Sequence, residues 1–99
     1  MSTPRYTHSP SCAFVLNHEV ETHQEFYAVY LADLRTSEIM ILEGSSAAIW
    51  VLLEDPMTLE ELSNEISDIY QVSVEDVKDE VASFIHSFAA KGYLAEKNS

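Results

Sequence analysis

The chain has 99 residues, of which 46% are hydrophobic, and it contains two Gly and three Pro. This length fits a single domain, and the apolar fraction excludes an intrinsically disordered chain. Five Lys and Arg against seventeen Asp and Glu give a net charge of −12, which disfavours nucleic-acid and membrane-surface partners and favours basic or neutral ones.

The termini and the cysteine content indicate a cytoplasmic protein. The single cysteine, Cys12, cannot form an internal disulfide, which fits a reducing compartment. The N-terminal segment has no apolar signal region, and no stretch approaches the ~20 apolar residues of a membrane span. Residues 1–11 contain two prolines and several Ser and Thr, so we expect a flexible tail there, followed by one domain over residues 12–99.

Three short apolar segments in the first half of the chain predict β-strands. They cover residues 12–16, 26–31 and 38–42 and are rich in aromatic or branched aliphatic side chains. The connections between them are shorter than the dozen or more residues that a parallel crossover requires. The expected arrangement is therefore a three-stranded antiparallel meander in which residues 38–42 form an edge.

From Gly44 onward the apolar spacing changes to that of helices. Ser45 or Ser46 can cap a first helix that runs to about Leu53. Pro56 follows and ends it, because proline lacks the amide hydrogen and disfavours a helical residue before it.

Two further helices are predicted by their cap signals. Thr58 and Glu61 have the spacing of a capping box, and Ser73 is a second signal of similar kind. The third helix is the longest, and Gly92 marks its end, after which residues 93–94 can fold back onto the core. Three strands followed by three helices predict an α+β fold.

The residues that usually carry chemistry form no recognisable catalytic or metal-binding motif. The histidines at 8, 18, 23 and 86 lack the spacing of metal ligands. Cys12 has no evident activating base in an acidic chain, and we interpret it as a buried or half-buried small apolar residue. We therefore expect no enzyme activity, no metal and no cofactor.

Two features of the sequence point to a binding function. Ten acidic residues between Glu54 and Glu80 are opposed by Lys78 alone, which indicates a surface that attracts a positively charged partner. The predicted edge at residues 38–42 contains no Pro or Lys to prevent pairing with another strand. That edge is either covered by the helices or open to an added strand, and the pattern alone does not choose.

The order of motifs from residue 42 onward resembles the PqqD-like family of recognition elements for ribosomally made, modified peptides. The similarity begins with the small residues that precede Ile49-Trp50 and continues through residues 70–77 and 84–94, so that it covers residues 13 to 95. Glu43 stands where the family often has Asn, and Asp55-Pro56 replaces a common Gly-Pro. Both departures lie at turns or caps and affect local loop geometry.

This resemblance implies a winged helix-turn-helix-like fold that binds the leader of a precursor peptide. The leader is expected to add as a strand to the predicted edge and to lie against the third helix. Two of the implied contacts, Val77 and Phe84, line an apolar pocket in this interpretation but fit a core position equally well. The implied peptide-binding residues are Glu38, Ile39, Met40, Ile41 and Leu42 on the edge, Val77 and Phe84 in the pocket, and Asp76, Asp79 and Glu80 as attractors of leader Lys or Arg.

A chain of this length without a fused enzyme is most similar to the stand-alone recognition protein of lasso-peptide biosynthesis. That similarity implies delivery of the leader to a cysteine-protease-type processing enzyme, with a cyclase as a further candidate partner. The alternative is a PqqD-type peptide chaperone in pyrroloquinoline quinone biosynthesis, which works with a radical enzyme. A winged-helix DNA-binding regulator ranks lower, because the third helix is acidic where phosphate contacts need Lys and Arg.

Overall fold

The computed structural model describes residues 3–17 and 28–98. Within them, three helices and five strands are present. The strands at residues 12–17, 28–33 and 39–42 form one antiparallel sheet, and those at residues 4–8 and 94–98 form a second. The predicted α+β class, the meander and the three following helices are confirmed. In chain order the elements are β1 (Pro4–His8), β2 (Cys12–Asn17), β3 (Ala28–Asp33), β4 (Ile39–Leu42), α1 (Ser45–Leu52), α2 (Leu59–Tyr70), α3 (Val74–Ala90) and β5 (Leu94–Asn98).

The three-stranded sheet has one face on the helices and one face outward. Along β3, Val29 and Leu31 are buried and Tyr30 is exposed, as expected for side chains that alternate between the two faces of a strand. Tyr30 lies opposite Val15 of β2 and Ile41 of β4. The predicted strand over residues 26–31 is observed from residue 28, and its first two residues lie outside the described part of the chain.

The segment predicted as a flexible tail over residues 1–11 contains strand β1, and the prediction was wrong for that strand. Its five residues pair antiparallel with those of β5. Tyr6 also exchanges main-chain hydrogen bonds with Met57, at 2.8 and 3.1 Å. Thr7 is buried, and its hydroxyl donates to the carbonyl oxygen of Leu53 at 2.8 Å. Local composition does not reveal this strand, because its hydrogen-bond partners are distant in sequence.

The hydrophobic core is built around Trp50 of α1, which is fully buried. The ring of His8 stacks on the Trp50 indole with centroids 3.9 Å apart and planes 10° apart, so β1 contributes to this centre. Phe14 and Phe88 also contact the indole, with ring centroids at 5.6 and 6.2 Å. Other buried core residues are Val29, Leu31, Leu42, Ala47, Ile49, Leu53, Leu62, Ile66, Val77, Val81, Phe84, Ile85, Tyr93 and Leu94.

The capping box predicted for the second helix is confirmed. The N–H of Glu61 donates to Thr58 Oγ1 at 3.0 Å, and the N–H of Thr58 donates to the Glu61 carboxylate at 3.0 Å. Ser73 occupies the N-cap position of α3, but its side chain makes no capping hydrogen bond. The two predicted caps therefore differ in what their hydroxyls contribute.

The capping of α1 differs from the prediction. Its N-cap is Gly44, with φ of 62°, a backbone conformation that glycine adopts readily because it has no Cβ. Ser45 lies inside the helix, and its hydroxyl donates to Glu80 of α3 at 2.8 Å. The prediction that Ser45 or Ser46 caps this helix was wrong, because the chain already turns sharply at the glycine.

The end of α3 is joined to the end of β3 by Arg35. The Asp33 carboxylate accepts from Arg35 Nε at 3.1 Å, and Arg35 Nη2 donates to the carbonyl oxygen of Lys91 at 2.6 Å. The hydrogen bonds from Arg35 hold the pKa of Asp33 below its ordinary value. Gly92 has φ of 81°, and a Cβ there would lie 2.7 Å from Arg35 Nη1. The predicted glycine stop is confirmed, and Tyr93 behind it is buried as expected.

The described helices include none that is long and apolar enough to cross a bilayer.

The two caps give a matched test of the side-chain hydrogen bond. Replacing Thr58 with Ala removes a hydroxyl that accepts from a main-chain N–H, so we expect a loss of about 1 kcal/mol in the free energy of unfolding. Ser73→Ala removes a hydroxyl without a capping bond, and we expect a clearly smaller loss. Urea denaturation of both variants measures the difference, and equal losses would contradict this account of the caps.

His8 is expected to make stability depend on pH. Burial lowers its pKa, although its hydrogen bond to the Trp50 carbonyl oxygen and the nearby Glu54 act in the opposite direction. The folded state therefore favours the neutral imidazole. The contribution of the neutral His8 imidazole to the free energy of unfolding is fully present above about pH 6.5, the pKa of histidine in the unfolded chain. It decreases as the pH falls below that value.

We expect the urea midpoint to decrease when the pH is lowered from about 7.5 to about 5.5. The decrease should be smaller in His8→Phe. His86→Phe, at an exposed position of α3, serves as the control and should retain the wild-type difference. A pH dependence that is unchanged in His8→Phe would contradict the role of this imidazole.

Candidate functional site

Strand β4 is the exposed edge of the three-stranded sheet. It pairs with β3 on one side, and no other described strand lies beside it. Ile39 and Ile41 are 73% and 56% exposed, while Met40 is half-buried and Leu42 is buried. The structure thus favours the open edge over the covered one for the described part of the chain.

The hydrogen-bond alternation of the ladder shows which main-chain groups of β4 are available. The N–H of Asp33 donates to the carbonyl oxygen of Glu38 at 2.8 Å, in line with the register of the β3–β4 pair. Opposed residues in an antiparallel pair alternate between bonded and non-bonded pairs. Met40 is therefore bonded to β3, and the N–H and C=O groups of Ile39 and Ile41 point away from it.

Helix α3 is held near the end of β4 that leads into α1. Ser45, three residues after Leu42, donates its hydroxyl proton to the Glu80 carboxylate. Asp76 lies one turn before Glu80 on the same helix face, and Asp79 lies on the adjoining face. All three carboxylates are exposed. The structure therefore brings two of the three predicted acidic residues to the side of α3 that contacts the start of α1, just after the edge strand.

The two predicted apolar contacts on α3 belong to the core. Val77 and Phe84 are each 7% exposed, and the Phe84 ring stacks on Phe88 with centroids 4.0 Å apart. Of the two interpretations left open by the sequence, the structure supports the core position for both.

The acidic residues between Glu54 and Glu80 all lie on the surface. Glu61 is paired with Arg5 at 2.7 Å, and Lys78 forms no ion pair with any residue that the structure describes. These carboxylates therefore give α2 and α3 a strongly anionic surface.

The remaining candidates for chemistry are placed without catalytic partners. Cys12 is half-buried, its thiol donates to the Ser9 carbonyl oxygen at 3.3 Å, and burial raises the pKa of the thiol, so the reactive thiolate is disfavoured. Residues 18 and 23, two of the histidines, lie outside the described residues. Among residues 3–17 and 28–98, no group of three His, Cys, Asp or Glu side chains can hold a metal ion.

Comparison with known proteins agrees with this architecture. A family model described as coenzyme PQQ synthesis protein D (PqqD) matches residues 28–94. The chain belongs to the PqqD family. The resemblance drawn from the sequence is confirmed, and the matched region includes β3, β4 and all three helices of this PqqD-family protein.

A solved structure shows the same fold. The structure titled "TbiB1 in Complex with the TbiA(beta) Leader Peptide" matches with a TM-score of 0.71 and 24% sequence identity, covering 89% of this chain and 93% of that chain. A comparison with curated proteins gives no match.

Sequence reasoning missed the contribution of β1. Because the composition of residues 1–11 predicts a tail, the sequence gives no indication of the cleft that β1 forms with α2 and α3. The alternation in residues 4–7 was the available signal, but a five-residue segment that contains a proline is a weak indicator of a strand.

Proposed function

We propose that this PqqD-family protein binds the leader of a ribosomally made precursor peptide by adding it as a strand to β4. The observation that carries the proposal is the outward direction of the main-chain groups of Ile39 and Ile41. An extended peptide beside β4 satisfies these donors and acceptors with its own main chain. The ligand class is supported by the structural neighbour, which was solved with a leader peptide.

The side chains of the added strand would meet two different environments. Because successive side chains point to opposite faces, one set lies beside the exposed Ile39 and Ile41 on the outer face. The other set lies on the inner face, beside the half-buried Met40 and towards α3. In this arrangement Val77 and Phe84 support the peptide site from within the core by fixing the position of α3.

Charge on α3 favours a leader that carries Lys or Arg. Asp76, Asp79 and Glu80 are exposed carboxylates, and the net charge of −12 attracts a basic peptide over several ångströms before contact. The same carboxylates would repel a DNA backbone, which argues against a regulator that reads DNA with α3.

We further propose that the bound leader is presented to a separate processing enzyme of the cysteine-protease type, with a cyclase as a later partner. This follows the lasso-peptide arrangement that the sequence resembles, and it requires no catalytic group or cofactor from this chain. Binding would take place in the cytoplasm, where ribosomes make the precursor.

A second candidate function is favoured by the description of the matching family. A protein of coenzyme PQQ synthesis would hold the precursor of that coenzyme for a radical enzyme by the same edge. Titration with labelled leaders of lasso-peptide and PQQ precursors separates the two candidates, since a recognition protein binds its own leader more tightly.

Ile41→Pro tests the edge directly. Proline removes an N–H that points away from β3, and edge strands tolerate proline where the lost donor faces solvent. We expect affinity for the leader to fall about tenfold or more, because main-chain bonds to the peptide are lost. Fluorescence anisotropy with a labelled leader measures the change.

Ile41→Val retains the N–H and a branched apolar side chain, and it should bind nearly as well as the unmodified protein. Circular dichroism checks that both variants keep their helix content. If Ile41→Pro binds the leader as tightly as Ile41→Val, the leader does not dock along β4.

The acidic residues of α3 have their own test. Replacing Asp76 and Asp79 together with Asn should weaken the binding of a leader that contains Lys or Arg by about two- to thirtyfold at low salt, since exposed ion pairs contribute about 0.2–1 kcal/mol each. The difference should shrink as salt screens the charges. Glu65→Gln with Asp68→Asn changes the net charge equally on α2, and an equal effect of this control would show that only net charge matters.

A further inference from the structure

The outer face of the three-stranded sheet is apolar. The chain carries 17 acidic residues, but no charged side chain stands in the two rows that cross this face. Exposed faces of antiparallel sheets usually carry polar side chains, so an apolar face indicates contact with an apolar partner. The rows, set by the pairing of the strands, are Val15, Tyr30 and Ile41, and Ala13, Ala32 and Ile39.

The part of this face that lies along β4 is open at one side. The side chains of Ile39 and Ile41 are 73% and 56% exposed. On the β3 side, Ile41 lies beside Tyr30, and Ile39 lies beside the small Ala32. On the other side no described strand is present, so one flank of each isoleucine is accessible to a segment that binds the edge.

The same two isoleucines supply the main-chain groups to which the proposed leader strand would bond. Their N–H and C=O groups point away from β3. Residues that lie opposite each other on neighbouring strands direct their side chains to the same face of the sheet. The leader residues opposite Ile39 and Ile41 therefore project onto the outer face, two positions apart, whether the leader runs parallel or antiparallel to β4.

Polarity decides which side chains fit these two leader positions. Neighbouring strands lie about 5 Å apart, so each leader side chain packs against the accessible flank of an isoleucine. An apolar side chain is stabilised there, because the contact removes apolar surface of both partners from water. A charged side chain would lose part of its hydration, and neither row of the face offers a group of opposite charge to compensate.

We propose that Ile39 and Ile41 are specificity-determining residues, which select a leader segment with two apolar side chains at alternate positions on the outer face. This inference rests on the proposed strand addition to β4. The main-chain bonds of an added strand give affinity without regard to sequence, and the side chains beside it give selectivity. The substrate class is therefore an extended segment with the pattern apolar-x-apolar.

Two capped heptapeptides test the proposal in nuclear magnetic resonance titrations of the isotope-labelled full chain. They are acetyl-Lys-Thr-Val-Thr-Val-Thr-Lys-amide and the same peptide with Thr in place of both Val. Valine and threonine are both β-branched and both favour strands, so the pair isolates polarity. We expect both peptides to shift the amide signals of β4, with the Val peptide binding at least about fivefold more tightly.

A double variant of the protein shows which face the valines occupy. Ile39→Thr with Ile41→Thr keeps the main-chain N–H groups and the β-branched side chains but makes the outer edge polar. Both positions are exposed, so the fold should be retained, as circular dichroism checks. The preference for the Val peptide should fall to about twofold or less. An unchanged preference would place the valines on the inner face beside Met40 and would overturn the proposal.

Val15→Thr is the matched control. Val15 is 62% exposed on the same face, but it lies on β2, which β3 separates from β4. The preference for the Val peptide should therefore be unchanged in this variant. If Val15→Thr reduces the preference as much as the double variant does, the whole face takes part in binding, which contradicts selection at the edge.

A second copy of the chain is another occupant that an apolar face could take. We expect a monomer in sedimentation equilibrium, since each chain carries a net charge of −12, which opposes the association of identical chains. A dimer that dissociates both in Val15→Thr and in the double variant would assign the face to self-association and would overturn the proposal.

Failure of this proposal is distinguishable from failure of the proposed function. If the Val and Thr peptides bind equally and both shift β4, strand addition stands and selection by the isoleucines falls. If neither peptide shifts β4, or if Ile41→Pro binds the Val peptide as tightly as the unmodified protein, strand addition itself falls, and the selection falls with it.

Discussion

The alternation of main-chain hydrogen bonds along the β3–β4 ladder is the constraint on which the proposed strand addition depends. Because Met40 is bonded to β3, its neighbours Ile39 and Ile41 must direct their N–H and C=O groups outward. The same pleat buries Leu42 and exposes the two isoleucine side chains. The register of the β3–β4 pair therefore determines which main-chain N–H and C=O groups of β4 are unpaired. It also determines which side chains of β4 pack on the core.

Helix α3 carries its core side chains and its surface charges on different faces. Val77 and Phe84 are buried against the core, while Asp76 and Glu80 remain at the surface near the turn that follows β4. Substitutions on these faces should have separable effects, because the buried side chains determine stability and the exposed carboxylates act on charged partners. Lys78 stands on a third face, where it borders the cleft with β1 and α2.

The parts of the fold that the sequence predicts are those decided by nearby residues. The capping box of Thr58 and Glu61, the glycine stop at Gly92 and the apolar spacing of the helices are local, and each agrees with the structure. Strand β1 could not be predicted in this way, because its partner β5 lies at the other end of the chain. The edge strand β4 was therefore predictable, while its open side and the core positions of Val77 and Phe84 required the three-dimensional packing.

The pairing of β1 with β5 has a consequence for how this domain can be combined with others. Pro4 lies directly opposite Asn98, and opposed residues in an antiparallel ribbon are about 5 Å apart. Two linkers attached at these positions would leave the domain side by side. Such a unit can be placed within a surface loop of a larger enzyme, or circularly permuted, without stretching the host chain.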